Sequence, residues 1–210
     1  MVLVALGVVA AVGACLRFVT SSPLWLDEAL SVNIASLPLD EVSGALRRDG
    51  HPPLFYLLLH GWIAAVGDSD LAVRALSGLW AVALLPLVWI AGRRVGGRRT
   101  AACTVVILAL SPFAVRYATE ARMYAMVSVL ALVGWLAADS AWRRPGLVPL
   151  AGVAVCSALL LWTHYWSIWF LAVGASLLAV LAWRANAGGD RAARSAALRI
   201  LAAVGVGGLP

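Results

Sequence analysis

The chain contains no lysine: all 16 of its cationic side chains are arginines. Charge of either sign is scarce, at 12% of residues, where a soluble domain carries roughly a quarter. With 63% hydrophobic residues and a mean hydropathy of +0.93, that scarcity excludes an ordinary soluble globular domain. Cysteine is nearly absent too. Cys15, Cys103 and Cys156 each lie inside an apolar run without ligand-like spacing, which excludes a disulfide framework and a zinc site. No P-loop, G-x-S-x-G, H-E-x-x-H or EF-hand pattern occurs, so the motif-borne chemistries of those classes are excluded. Residues 1–16 lack the positively charged start and the small-x-small cleavage site of a secretory signal; they read as an uncleaved first membrane helix.

What is present is apolar sequence in blocks, separated by short breaks that carry arginine. Apolar segments run over 1–19, 52–66, 71–92, 100–117, 123–141, 146–163, 166–183 and from about 198 onward. Blocks of this length and spacing imply an all-α, polytopic membrane protein. The last block stops at Gly207-Gly208-Leu209-Pro210 after part of a span. The expectation is therefore the N-terminal part, residues 1–210, of a longer module whose C-terminal remainder is missing. The net charge of +6 could indicate a nucleic-acid partner. Here the arginines sit in clusters between apolar blocks, as topology signals do, so membrane lipids are expected as partners and nucleic acid is not.

Three clusters stand out: Arg93/Arg94/Arg98/Arg99, Arg143/Arg144 and Arg184/Arg191/Arg194/Arg199. The positive-inside rule puts all three in the cytoplasm. With the N-terminus inside and every block crossing, all three would fall outside. One non-crossing block repairs this. Residues 52–66, P-P-L-F-Y-L-L-L-H-G-W-I-A-A-V, number only fifteen and contain His60, which suits a helix lying at the membrane interface. An outside N-terminus with every block crossing is the alternative repair. The first leaves spans at 1–19, 71–92, 100–117, 123–141, 146–163, 166–183 and 198–210, and loops 20–51, 117–123 and 163–166 outside. Asp27, Glu28, His51, Glu120 and His164 then share the face opposite the arginine clusters, as the polar groups of an enzyme or transporter site would.

Four stretches carry the candidate chemistry. In W-L-D-E, residues 25–28, Asp27 and Glu28 are adjacent, so on a helix they point about 100° apart. One can face a cavity while the other caps a helix start; both can equally be loop charges, with Trp25 an interfacial anchor. In D-G-H-P-P-L-F-Y, residues 49–56, an Asp-Gly turn and two prolines fix His51 on a rigid corner. It reads either as a solvated histidine or as a donor or ligand near Asp27. In S-P-F-A-V-R-Y-A-T-E-A-R-M-Y, residues 111–124, helical spacing would align Arg116 with Glu120, Glu120 with Tyr124, and Tyr117 with Tyr124 a heptad on. Such a face is either an interfacial salt bridge in an aromatic belt or part of a site. In L-W-T-H-Y-W-S-I-W, residues 161–169, His164 is the one titratable group beside Tyr165 among belt-type tryptophans, whose planes also stack on sugar rings and prenyl chains.

Taken in order, W-L-D-E-A-L-S, D-G-H-P-P-L-F-Y-L-L-L-H-G-W, G-D-S-D-L-A-V-R-A-L-S-G and L-S-P-F-A-V-R-Y-A-T-E-A-R-M-Y-A-M resemble the N-terminal half of a GT-C glycosyltransferase. The branch is that of protein O-mannosyltransferases and lipid A aminoarabinose transferases, a glycosyltransferase family 39-like group. The resemblance covers residues 20–140 closely and the flanks only as apolar spans. It implies a GT-C-like helical bundle with an extracytoplasmic first loop and interfacial helices. It also implies a polyprenyl-phosphate-linked sugar donor and a lipid, glycan or protein acceptor. Asp27 corresponds to the expected catalytic base and Glu120 to a second outer acid, where many relatives carry Asp.

The implied reaction needs a base for the acceptor hydroxyl, worth on the order of 10²–10⁴-fold when positioned, and donor groups for the departing phosphate. The catalytic set is Asp27, Glu28 and Glu120, with Glu28 either a cap or a support. The substrate-binding set is His51, Arg116, Tyr117, Arg122, Tyr124, His164 and Tyr165. No cofactor is required by the chemistry; a divalent cation, Mg or Mn, held by Asp27 and Glu120 is an option. The arginine bias and Ala, Val and Gly richness point to a GC-rich bacterial gene and a multi-pass plasma-membrane setting with the site facing outside. Two alternatives belong to other classes: a polytopic transporter or flippase of lipid-linked substrates, and a non-catalytic truncated paralogue. The near absence of acids within the spans favours interfacial catalysis over transport.

Overall fold

Long apolar stretches interrupted by Gly, Pro, Ser and Arg dictate helices whose ends fall at those interruptions. The computed structural model describes residues 2–208, and among them every regular element is an α-helix. In chain order these are α1 (Val2–Leu16), α2 (Leu26–Ala35), α3 (Leu39–Asp49), α4 (Leu54–Val66), α5 (Asp70–Leu110), α6 (Pro112–Ala118), α7 (Tyr124–Arg143), α8 (Leu147–Thr163), α9 (Ser167–Ala187) and α10 (Arg191–Gly207). Residues 1, 209 and 210, the outer ends of two expected spans, lie outside the described residues. The chain divides into two compact units, Met1–Val129 and Leu130–Pro210, with the boundary inside α7.

Among the described residues, three helices are long and apolar enough to cross a membrane: α5, α7 and α9. They are compatible with a membrane protein. Only 6% of the apolar window of α9 is buried, and Trp169, Phe170, Val173, Leu177 and Trp183 all stand exposed along it. Exposed apolar patches of this size mark interaction surfaces. The helices α1, α4 and α8 are apolar but shorter. Of these, α4 lies within the block 52–66, and α1 and α8 lie within the blocks 1–19 and 146–163.

The longest element is two arms, not one rod. Gly96 and Gly97 leave helical geometry, and Gly97 adopts φ 80° with ψ −163°, a region in which a Cβ is strained. The chain doubles back there. Thr104 Oγ1 donates to the Val88 carbonyl at 3.3 Å, and a Cβ on Gly92 would lie 2.6 Å from Ala101 Cα. Close approach through small residues is how helices pack where apolar surface has no water to escape. The arms match the expected blocks at 71–92 and 100–117, with the arginine cluster on the turn.

The second arm stops at Leu110, short of the expected 117. Ser111 takes an extended conformation, as a residue before proline prefers, and accepts a bond from Ala114 N at 3.3 Å. Pro112 then opens α6 at a position that needs no N–H. Residues 111–124 are therefore not one helix: α6 ends at Ala118, and the Arg122 N–H bonds back to the Glu120 carbonyl at 2.7 Å in the turn before α7.

The stretch 20–51, expected as loop, holds α2 and α3. In α3, Asp40 and Glu41 sit in the first turn and Arg47 and Arg48 in the last, which matches the helix dipole at both ends. Gly50 closes it at φ 80°, the left-handed cap that glycine allows. The His60 Nδ1 donates to the Ala35 carbonyl at 2.7 Å and so holds α4 against the end of α2. In the second unit α10 packs on α8 and α9, around Ala141, Val153, Ile200 and Ala203. It starts at Arg191, well before the apolar block, because the Asp190 side chain caps it by accepting from Ala193 N at 2.9 Å.

Candidate active site

The adjacent acids Asp27 and Glu28 occupy the first turn of α2, and the 100° between them separates their surroundings completely. Glu28 is fully buried. Its Oε1 accepts from Arg74 Nε at 2.8 Å and Ala121 N at 2.8 Å. Its Oε2 accepts from Arg74 Nη2 at 2.6 Å and Trp25 N at 3.2 Å. Four bonds fill the lone pairs of a carboxylate. Arg74 is equally committed, giving its remaining N–H groups to the Ser22 carbonyl at 2.7 Å, the Pro23 carbonyl at 3.1 Å and Thr20 Oγ1 at 3.4 Å. Burial by itself raises the Glu28 carboxyl, but the Arg74 and backbone hydrogen bonds and the Arg74 charge outweigh it and hold the group below its ordinary value. Glu28 is thus a structural anchor joining the segment before α2, the start of α5 and the turn before α7. Both oxygens of Glu28 are therefore taken by partners within the fold, unlike those of the half-exposed Asp27.

The Asp27 side chain is 42% exposed, and Arg122 Nη2 stands 4.0 Å from its Oδ2. Arg122 is itself nearly buried. It donates to Ser31 Oγ at 3.0 Å and to the Asp27 carbonyl at 3.4 Å, while its own carbonyl accepts from Ser77 Oγ at 2.8 Å. Among the described residues the Nε of Arg122 finds no hydrogen-bond partner. The guanidinium lies 5.9 Å from the centroid of the Tyr124 ring, within cation–π range.

Tyr124 belongs to an aromatic ladder. Its ring centroid is 4.9 Å from that of Tyr117, which is 4.6 Å from that of Phe113, both edge-to-face. The break between α6 and α7 does not separate Tyr117 from Tyr124, although the expected continuous helix is not what joins them. The ladder lines an apolar groove of about 460 Å³ together with Leu84, Leu108 and Arg17. Arg116 Nε donates to Glu120 Oε1 at 2.5 Å. This pair spans very different depths, with Glu120 buried and Arg116 68% exposed at the side chain.

His51 sits where the turn and prolines put it, and pairs with Asp49 through Nδ1 at 2.6 Å. The same Asp49 oxygen accepts from Tyr56 at 3.4 Å. Burial pushes the Tyr56 hydroxyl up, against the opposing pull of Arg122 and Ser31, so it remains a protonated donor. His164 and Tyr165 lie in the second unit. There the His164 Nδ1 accepts from Trp166 N at 3.1 Å, and Tyr165 is exposed.

A divalent cation does not fit the carboxylates the sequence offered for it. Asp27 faces Arg122 and Glu120 is bonded to Arg116, and a guanidinium cannot ligate a metal. Among the described residues no group of three or more His, Cys, Asp or Glu side chains could hold an ion.

Sequence reasoning missed Arg74, Ser31, Ser77, Tyr56 and Arg17. The available signal was charge in apolar surroundings: Arg17 and Arg74 each stand alone in long hydrophobic runs, and such residues are expensive unless fully bonded. Arg17 is buried and donates to the Gly13, Leu108 and Ala109 carbonyls at 2.6, 2.9 and 3.3 Å, which ties the end of α1 to the end of α5. No protein family, no curated protein and no solved structure matches this chain.

Proposed function

We propose that this protein is a membrane glycosyltransferase of the GT-C type. It moves a sugar, mannose or another pentose or hexose, from polyprenyl phosphate to an acceptor hydroxyl on a lipid, glycan or protein. The reaction takes place at the extracytoplasmic face of the plasma membrane. The observation that carries this reading is the continuity of Asp27, Arg122 and Tyr124. An exposed carboxylate meets a partly unsatisfied guanidinium, which meets the aromatic wall of an apolar groove. An amphipathic donor needs those parts in that order.

The prenyl chain takes the groove and the ladder of Tyr117 and Tyr124. The phosphate lies toward Arg122, whose planar fork suits phosphate oxygens. The acceptor oxygen attacks the anomeric carbon as Asp27 removes its proton. The bond from that carbon to the phosphate oxygen breaks, and polyprenyl phosphate leaves with the bonding pair. Arg122 offsets the charge that builds there. Glu120 and Arg116 border the acceptor side and orient the hydroxyl. Glu28 holds the Asp27 backbone through its bonds to Arg74 and Ala121 and takes no proton.

The test is to incubate membranes carrying the full-length protein with labelled polyprenyl-phosphate sugars. Label moving from prenyl lipid to a hydroxyl acceptor is the expected result. Label that crosses the bilayer still attached to its prenyl lipid would identify a flippase instead, and no change of either kind would identify a scaffold.

A further inference from the structure

The second unit holds an amphipathic cavity that the transfer reaction does not use. Its apolar part is a groove of about 330 Å³ bounded by Ala131, Trp135 and Ala138 of α7, Leu160 of α8, Gly174 of α9 and Val204 of α10. Ala131, Trp135, Ala138 and Trp142 recur on one face of α7, and the stripe runs roughly 16 Å from first to last at the helical rise. Trp142 lines the groove as well. That same residue borders a polar cleft of about 550 Å³, lined by Arg143, Asp190, Ser195 and Arg199.

Charge in the cleft is lopsided once its bonds are followed. Asp139, which also lines the groove, is paired with Arg143 at 2.9 Å, and Asp190 is engaged as the cap of α10. Arg199 donates to the neutral Ser195 hydroxyl at 2.8 Å. Arg144, Arg191 and Arg194 flank the same helix ends, exposed. Both local acids are satisfied, and the surplus is cationic.

We propose that this cavity holds one anionic phospholipid, with its phosphate on Arg199 at the arginine-rich end and an acyl chain along α7 in the groove. The occupant follows from complementarity. An apolar groove and an arginine-lined cleft that share the Trp142 indole match an acyl chain, an interfacial boundary and a charged headgroup. A zwitterionic lipid would fill the slot but gain little from the cleft. The proposal rests on the reading of the chain as a membrane protein and is independent of the transfer chemistry.

Two variants separate tail from head. Gly174 lines the groove and a Cβ there meets nothing within 4 Å, so Gly174→Leu starts a bulky side chain in open space within the slot. Arg199 is exposed, so Arg199→Gln removes the headgroup contact without stranding a buried group. The full-length protein is placed in phosphatidylcholine nanodiscs that contain a trace of phosphatidylglycerol with a photoactivatable diazirine acyl chain. Parallel discs carry the equivalent phosphatidylcholine probe. Labelled peptides are mapped after irradiation.

The expected result is labelling of the groove segments of α7–α10 by the phosphatidylglycerol probe, about fivefold above the phosphatidylcholine probe. Arg199→Gln should abolish that preference, and Gly174→Leu should abolish groove labelling by either probe. Equal labelling by both probes in the wild type would overturn the proposal, as would groove segments left unlabelled because another part of the chain covers them. Failure to enter nanodiscs would overturn the membrane reading, whereas entry without groove labelling would overturn only this one.

Discussion

Replacing Glu28 by Gln should unfold this protein far more readily than the same change one residue earlier. Glu28 and Arg74 have side chains only 0% and 4% exposed, and the acid receives four hydrogen bonds from three chain segments. An amide keeps the shape but removes the charge and turns an N–H₂ toward donors. Arg74 is then left buried and uncompensated, which costs about 3–5 kcal/mol. Total stabilities are typically about 5–15 kcal/mol, so this is a large fraction. Asp27→Asn, at a 42% exposed side chain with its cation 4.0 Å away, should cost about 1 kcal/mol or less.

Thermal unfolding of the purified protein, followed by loss of the monodisperse peak in size exclusion, reads both. Glu28→Gln should lower the midpoint by roughly 6–20 °C on the usual scaling, and Asp27→Asn by a few degrees at most. The pairing also sets a pH dependence. The folded-state pKa of Glu28 is depressed, so its contribution is present above the ordinary carboxyl pKa and lost as pH falls through the depressed value. Glu28→Gln should flatten that acid limb. The double variant Glu28→Gln/Arg74→Met should recover much of the loss, because neither charge is then stranded. Equal midpoints for Glu28→Gln and the wild type would refute the assignment of Glu28 as a buried anchor.

Three further outcomes follow from the same geometry. Gly97→Ala places a Cβ at φ 80° and should cost about 1–2 kcal/mol, read as a lower unfolding midpoint with transfer activity unchanged below it. Tyr124→Leu removes the ring between Tyr117 and Arg122. It should raise KM for the prenyl-linked donor about tenfold, as loss of about 1.4 kcal/mol of aromatic contact implies, with little change in kcat. EDTA should leave sugar transfer intact, because Asp27 and Glu120 each face an arginine; inhibition reversed by added Mg would contradict this.

The helical blocks were legible because apolar length and arginine punctuation are local properties. The Gly96–Gly97 turn, the Asp49–Gly50 corner and α4 all fall where those signals put them. Other features depend on partners far away in the chain. The fate of Glu28 is decided by Arg74 and by Ala121, neither of which any spacing rule connects to residue 28. The stop of α5 at Leu110 was visible in Ser111-Pro112, but the apolar run beyond it masked it, and the split of 111–124 falls at the turn between Ala118 and Tyr124. The helices α2 and α3 were hidden because a stretch broken by prolines and acids reads as loop until its amphipathic face has something to pack on. Arg74 was quoted within a motif yet given no role, because a single arginine in an apolar segment shows its cost and not its partner.

The central claim is that Asp27 removes the acceptor proton. Its most direct test is single-turnover transfer from a labelled polyprenyl-phosphate sugar by full-length wild type and Asp27→Asn protein of equal membrane insertion. The account predicts that donor still binds to the variant, while the transfer rate falls on the order of 10²–10⁴-fold. Transfer by Asp27→Asn at the wild-type rate would contradict it.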